Sequence, residues 1–112
     1  MWLYLSDSFL SIVKPSGNSQ PGVLLVRARV KGDIERVFPG AEVLETPMRD
    51  YLYRALLPTS RVQEAMTYQI RSIGGNNGYD NFKNSVQDVH RHDVYTRVWS
   101  VTRALQYKED HD

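Results

Sequence analysis

Residues 23–30 read Val-Leu-Leu-Val-Arg-Ala-Arg-Val, and this stretch decides the fold. In its second half, charged and apolar side chains alternate with the two-residue period of a β-strand. The apolar side chains at even positions from 24 to 30 then share one face, while Arg27 and Arg29 lie on the other. The pattern predicts a strand that turns one face to the core and a basic face away from it.

Periodicity along the rest of the chain predicts an alternation of strands and helices. Ser60 fits the first position of a capping box with Gln63, and Asp80 and Asp93 fit N-caps of the two helices that follow. Gly74 fits a left-handed C-terminal cap of the helix that Ser60 begins. The predicted elements are a hairpin or one bent strand over 1–13, a strand over 23–30, a short helix over 33–38, strands over 41–46 and 51–57, and helices over 60–73, after Asp80, and over 93–107.

This order of elements predicts the fold class. The chain of 112 residues is one domain, 1–112, long enough to bury roughly two-thirds of its unfolded surface. A β-α-β-β-α succession favours an α+β fold with a ferredoxin-like split βαβ unit. We expect an antiparallel sheet with helices on one face and extra C-terminal helices. Segments 14–22 and 74–78 are predicted to be flexible loops, and 108–112 a frayed tail.

Composition limits the classes of function. The absence of cysteine excludes disulfides, thiolate zinc sites and thiol catalysis. A net charge of +1 gives little bulk attraction for nucleic acid. No apolar run approaches membrane-spanning length, and residues 1–10 lack the form of a signal peptide. The sequence therefore predicts a cytoplasmic protein without a membrane partner.

The stretch from Tyr79 to Trp99 concentrates aromatic rings and histidines. Its rings fit the inner faces of two terminal helices, so an interaction role falls to the polar residues between them. The predicted interaction residues are Asn81, Lys83, His90, His92 and Arg97.

Catalytic and cofactor motifs are incomplete in this chain. The glycine-rich stretch 74–78 lacks the Lys-Ser/Thr that completes a phosphate-binding loop. His90, His92 and Asp93 are metal-ligand types, but two histidines two positions apart on a helix diverge by about 200°. We therefore predict no metal and no cofactor, and the sequence favours a binding protein over an enzyme. A small enzyme or ligand-binding pocket near Tyr79–Lys83 stays an alternative, built from Tyr79, Asp80, Asn81, Lys83 and His92.

A second alternative is nucleic-acid binding on a sheet face. Arginines beside aromatic rings are what platforms for single-stranded nucleic acid use. Glu42 and Glu45, on the neighbouring predicted strand, are expected to pair with the arginines instead. The candidate residues are Arg27, Arg29, Arg54 and Tyr53.

Four stretches carry a family resemblance. They are Val-Leu-Leu-Val-Arg-Ala-Arg at 23–29, Tyr-Leu-Tyr-Arg-Ala at 51–55, Tyr-Asp-Asn-Phe-Lys at 79–83 and Tyr-Thr-Arg-Val-Trp-Ser at 95–100. Together they resemble a family of small bacterial proteins of unknown activity, whose members typically begin with Met-Trp and carry Tyr-x-Asn-Phe-Lys and Tyr-x-x-Val-Trp motifs. The resemblance implies a bacterial or mobile-element origin and no particular activity.

The leading hypothesis is a small non-enzymatic bacterial protein that binds a partner macromolecule, most simply another protein. Small phage- and plasmid-borne proteins of this size commonly act in this way, including inhibitors of host defence such as anti-CRISPR proteins. The sequence leaves the partner and the oligomeric state open, a homodimer included.

Overall fold

The computed structural model describes residues 1–17 and 20–107. The predicted tail 108–112 and two residues of the predicted loop 14–22 therefore lie outside the described residues. The elements are β1 (Trp2–Tyr4), β2 (Phe9–Val13), β3 (Val23–Ala28), α1 (Asp33–Val37), β4 (Leu44–Glu45), β5 (Tyr53–Pro58), α2 (Thr59–Ile73), α3 (Phe82–Ser85) and α4 (Val89–Gln106).

The five strands form one antiparallel sheet in the order β1-β2-β3-β5-β4. Strands β3 and β4 are joined through α1 and run in the same direction, with β5 inserted between them. This is the predicted split βαβ unit, and the α+β fold class is confirmed. In a ferredoxin-like chain, the first strand of the βαβ unit, which corresponds to β3 here, has a neighbour on its other edge that comes after the second helix in sequence. Here β2 takes that place from the N-terminal side, and β1 extends the sheet by a hairpin.

Alternation along the strands gives the sheet an inner face. Leu10 lies opposite Ala28, and Val26 lies opposite Ala55, so apolar side chains from three strands meet. Helices α1 and α2 cover this face. The buried core cluster consists of Leu10, Ile12, Val26, Ala28, Ile34, Phe38, Ala55, Leu57 and Val62.

The opposite side of the sheet, which we call the outer face, carries rings and arginines. Tyr4 lies opposite Phe9, and Arg27 lies opposite Ser11 and Arg54. The predicted basic face of β3 is thus present. Val30, predicted to continue the apolar face, lies beyond the end of β3 and is exposed.

Two predicted helix caps of α2 are wrong. The helix begins at Thr59 after Pro58, whose side chain has no acceptor, and Ser60 makes no capping bond. Pro58 already ends β5 with an extended backbone, so no residue is left to act as a separate cap. Gly74 ends the helix with φ of −85°, which is not left-handed.

The caps of α3 and α4 also differ from the prediction. Asn81 caps α3, because its side-chain oxygen accepts a hydrogen bond from the Asn84 amide. Asp88 caps α4 by accepting from the Arg91 amide at 2.8 Å. Asp93, the predicted N-cap, lies inside the helix, since the earlier aspartate already satisfies the first free amides.

Candidate functional site

Asp33 anchors the C-terminal helix to the rest of the protein. It is the first residue of α1, and its side chain is fully buried. The carboxylate accepts hydrogen bonds from the Phe9 amide at 3.0 Å and from Arg91 of α4 at 2.8 Å, and it also binds Arg36. Two guanidinium groups and one amide thus compensate one buried charge.

Tyr95 makes the second contact between α4 and the sheet. It is the one buried residue of this helix, and its hydroxyl donates to the Ser8 carbonyl oxygen at 3.1 Å. Its ring meets Tyr4 edge-on at 5.3 Å and stacks on Phe82 at 5.7 Å. Arg91 donates to the same hydroxyl at 3.1 Å. Tyr95 and the Asp33–Arg91 ion pair therefore attach the N-terminal part of α4 to the rest of the protein.

Two pKa values are shifted in this contact. Burial raises the pKa of Tyr95, and the hydrogen bond from Arg91 opposes that rise only in part. Burial by itself would lower the pKa of Arg91, but its hydrogen bonds to Tyr95 and Asp33 and the Asp33 charge raise it overall. The anchor therefore consists of a neutral phenol, a guanidinium and a carboxylate.

The remainder of α4 leaves apolar side chains uncovered. Val94, Val98, Val101 and Leu105 recur at spacings of four, three and four, which places them on one narrow strip of the helix. We call these four residues the α4 stripe. Val94 is 42% exposed, Val101 72% and Leu105 78%. The stripe is thus partly covered where α4 meets the protein and open towards its C-terminal end.

A cleft of about 400 Å³ separates the N-terminal half of α4 from the outer face. Its floor includes Tyr4 and Phe9, whose rings stack at 4.5 Å, and the 67% exposed indole of Trp2. We call it the aromatic cleft. Its lining residues are Trp2, Tyr4, Phe9, Arg29, Val30, Tyr51, Asp88, His90, Arg91, Val94, Tyr95 and Val98.

The aromatic cleft combines apolar surface with positive charge. The cationic side chains of Arg29 and Arg91 line it together with the imidazole of His90. Asp88 is the carboxylate in the lining, and its side chain is engaged as the cap of α4. Arg91 is already paired with Asp33, so among the described residues Arg29 is the lining cation without a carboxylate partner. An apolar group that carries a negative charge would find complementary surface beside it.

The five predicted interaction residues are not brought together. His90 lines the aromatic cleft. Asn81 caps α3, and the ammonium of Lys83 lies 3.7 Å from the centre of the Trp99 ring. Arg97 forms an exposed ion pair with Asp93 of the same helix. His92, also in the first turns of α4, is half-buried.

The arginines of the outer face are engaged within the protein. Arg27 donates to the Ser11 hydroxyl at 2.6 Å, and Arg54 pairs with Asp50 at 3.2 Å. The prediction that Glu42 or Glu45 pairs with Arg54 is wrong. Asp50 lies four residues before Arg54, and its carboxylate accepts the hydrogen bond from the guanidinium instead.

The tyrosines differ from the predicted arrangement on this face. Tyr53 packs against the core, whereas Tyr51 lies with the arginines. The guanidinium carbons of Arg27 and Arg29 lie 4.6 and 4.5 Å from the Tyr51 ring centre. Tyr51 is only 5% exposed, so this ring offers little surface for a base to stack on.

The alternative pocket near Tyr79–Lys83 has divergent members. Tyr79 lines a groove beside α2 and packs on Phe82. Asn81 caps α3, whereas Lys83 lies over the Trp99 ring. Within residues 1–17 and 20–107, no three His, Asp or Glu side chains are grouped to hold a metal ion. None of the described helices is both long and apolar enough to cross a membrane.

Two parts of this site were missed from the sequence. The sequence places Asp33 at a helix start but does not indicate its buried ion pairs, since its partner Arg91 lies 58 positions away. For Trp2 and Phe9 the sequence predicts strands and no site. The period of two, with the hairpin register, places Trp2, Tyr4 and Phe9 on one face, but no local signal says that α4 borders that face.

Comparison with known proteins gives no match to a family model, to a curated protein or to a solved structure.

Proposed function

We propose that the protein acts without catalysis, by binding an apolar segment of another polypeptide between α4 and the outer face of the sheet. The α4 stripe carries this proposal. Val101 and Leu105 stand 72% and 78% exposed on a helix whose buried residue is Tyr95. Contiguous apolar surface of this kind, rimmed by polar residues, is characteristic of interaction sites.

The shape of the surface favours a polypeptide over a small molecule. The aromatic cleft holds about 400 Å³, which falls in the range of small-molecule sites. It lies beside Val94 and Val98, however, and the stripe continues from them to Leu105 at the open end of α4. An elongated occupant, such as an amphipathic helix, uses both the cleft and the stripe.

The charges of the cleft specify the occupant further. Arg29, His90 and Arg91 are among the residues that line it. The preferred segment therefore presents apolar side chains followed by a carboxylate or a helix C-terminus, since both place negative charge beside these cations.

The cellular setting is part of the proposal. The family resemblance and the predicted location support a bacterial protein that acts in the cytoplasm on a protein target. Inhibition of a host defence system is one activity of this class.

Site-specific photocrosslinking tests the proposed function. A benzoylphenylalanine placed at Val94 faces the aromatic cleft, whereas the same residue at Glu64 stands on α2, away from it. We expect ultraviolet light to give protein adducts from position 94 that Trp2→Ala weakens. Equal adducts from positions 94 and 64, or none from position 94, would overturn the proposal.

A further inference from the structure

The spacing of the α4 stripe is that of a helix-pairing seam. Steps of four, three and four residues connect Val94, Val98, Val101 and Leu105. These are the alternating a and d positions of a heptad, which keep apolar side chains towards a partner helix over the whole seam. A helix that only covers a sheet commonly carries a wider apolar face.

We propose that the occupant of this surface is α4 of a second copy of the same chain, in an antiparallel, two-fold symmetric dimer. This inference rests on the proposed function and names its partner. In a two-fold arrangement the same residues meet from both sides, so a single self-complementary stripe is sufficient.

The position of α4 on the protein selects the antiparallel direction. The N-terminal half of the stripe borders the aromatic cleft, whereas Val101 and Leu105 stand free of it. A parallel pair would bring the two sheets together at the same end of the helices. In the antiparallel pair, the C-terminal half of α4 from one protomer lies beside the aromatic cleft of its partner. Val94 then faces the partner's Leu105, and Val98 faces the partner's Val101.

Charge complementarity supports the same register. The C-terminal end of a helix carries partial negative charge from its unpaired carbonyl groups. In the antiparallel pair this end reaches the cleft that Arg29, His90 and Arg91 line. Between the ends of the stripe, Arg97 lies at the level of the partner's Thr102 in this register, so this pair brings no like charges together.

The exposed area is sufficient for a specific dimer. Covering Trp2, Val94, Val101 and Leu105 completely would remove on the order of 500 Å² of accessible surface per protomer, against about 800 Å² in a standard interface. The polar flanks of an 18-residue helix supply the remainder.

Sedimentation equilibrium over micromolar to submillimolar concentrations tests the dimer. We expect a mass of twice 12.9 kDa for the full chain. Leu105→Glu should raise the dimer dissociation constant about 100-fold, because the two-fold axis places two carboxylates in the apolar seam. Ile70→Glu, a matched change at a 70% exposed position of α2, should leave it within about threefold. Circular dichroism checks that both variants keep the native helix content.

The outcomes separate this inference from the proposed function. A dimer that Leu105→Glu dissociates and Ile70→Glu preserves supports the inference. A monomer at all concentrations overturns it, and cleft-specific crosslinks to a different protein would then leave the proposed function standing. A dimer that survives Leu105→Glu also overturns it, because the contact would lie elsewhere. A monomer without cleft-specific crosslinks overturns both.

Discussion

Asp33 carries a buried charge whose partners come from two distant parts of the chain. Arg36 follows it by one helical turn, while Arg91 reaches it from α4. Removing one member of such a group leaves the remaining charges uncompensated in a site of low polarity. We therefore assign to Asp33 the largest electrostatic contribution to the position of α4.

Asp33→Asn should lower the free energy of unfolding by about 3 kcal/mol, since two guanidinium groups lose their carboxylate. Urea denaturation measures this change. Asp93→Asn is the matched control, because the Asp93–Arg97 pair is exposed and its loss should cost no more than about 0.5 kcal/mol. Similar losses in both variants would contradict the assigned role of Asp33.

Tyr95 makes the free energy of unfolding depend on pH in the alkaline range. Its pKa is raised from the ordinary 10.0, so the folded and unfolded states both hold the phenolic proton below pH 10. Above that pH the unfolded state loses the proton first, and stability falls until the folded phenol also ionises, by up to about 1.4 kcal/mol per pH unit.

At pH 7, Tyr95→Phe should lower the free energy of unfolding by about 1 kcal/mol, because the hydrogen bond to Ser8 is lost. Between pH 9 and 11, the free energy of unfolding of the variant should then fall less than that of the wild type. Denaturation at a series of pH values measures both effects. Tyr107→Phe, at an exposed ring, is the control that should follow the wild type. Parallel pH profiles for wild type and Tyr95→Phe would show that the buried phenol is not the cause.

At the scale of elements, the connection between α2 and α3 is closely packed. A methyl group at Gly78 would lie 1.9 Å from the Ile73 carbonyl oxygen. The Gly78 amide also donates to the Gly75 carbonyl oxygen at 3.0 Å. The predicted flexible segment 74–78 thus contains a position where the close approach of two backbones requires glycine.

Gly78→Ala should lower the free energy of unfolding by about 1 to 3 kcal/mol, because the backbone must shift to remove the contact. Gly74→Ala has its nearest contact at 3.8 Å and a helical backbone, so it should be neutral or stabilise by up to about 1 kcal/mol. Thermal unfolding of the two variants checks this difference. A harmless Gly78→Ala would contradict the close approach.

The elements themselves were largely predictable, whereas their ends were not. Strand alternation in 23–30 and helical spacing after Ser60 predicted β3 and α2, because side-chain burial follows the period of each element. The caps at Asp88 and Asn81 were missed, since several polar residues nearby offer the same capping chemistry. The contact that orients α4 joins residues far apart in sequence, so no local pattern indicates it.

At the scale of the whole molecule, the helices are unevenly packed. The Cα radius of gyration is 15.9 Å, above the roughly 13 Å of a compact domain of this length. The described residues span 45 × 42 × 24 Å. We attribute the extended shape to α4, which is held at Tyr95 and leaves Val101 and Leu105 uncovered.

The predicted interaction region, Tyr79–Trp99, stays a prediction, and it overlaps only in part with the aromatic cleft. This region contains the first eleven of the 18 residues of α4, yet four of the five predicted polar residues do not line the aromatic cleft. Apolar spacing alone does not distinguish an inner helix face from a face that another chain covers, so the sequence did not show that the α4 stripe is uncovered.

Cysteine trapping at the ends of the α4 stripe tests the central claim most directly, since the natural chain has no cysteine. Val94→Cys and Leu105→Cys are prepared separately, mixed and oxidised, and the products are separated without reductant. We expect the two variants to crosslink to each other, because the antiparallel register brings these positions within disulfide reach. Crosslinks only between identical variants, or none above an Ile70→Cys control, would contradict the antiparallel pairing of α4.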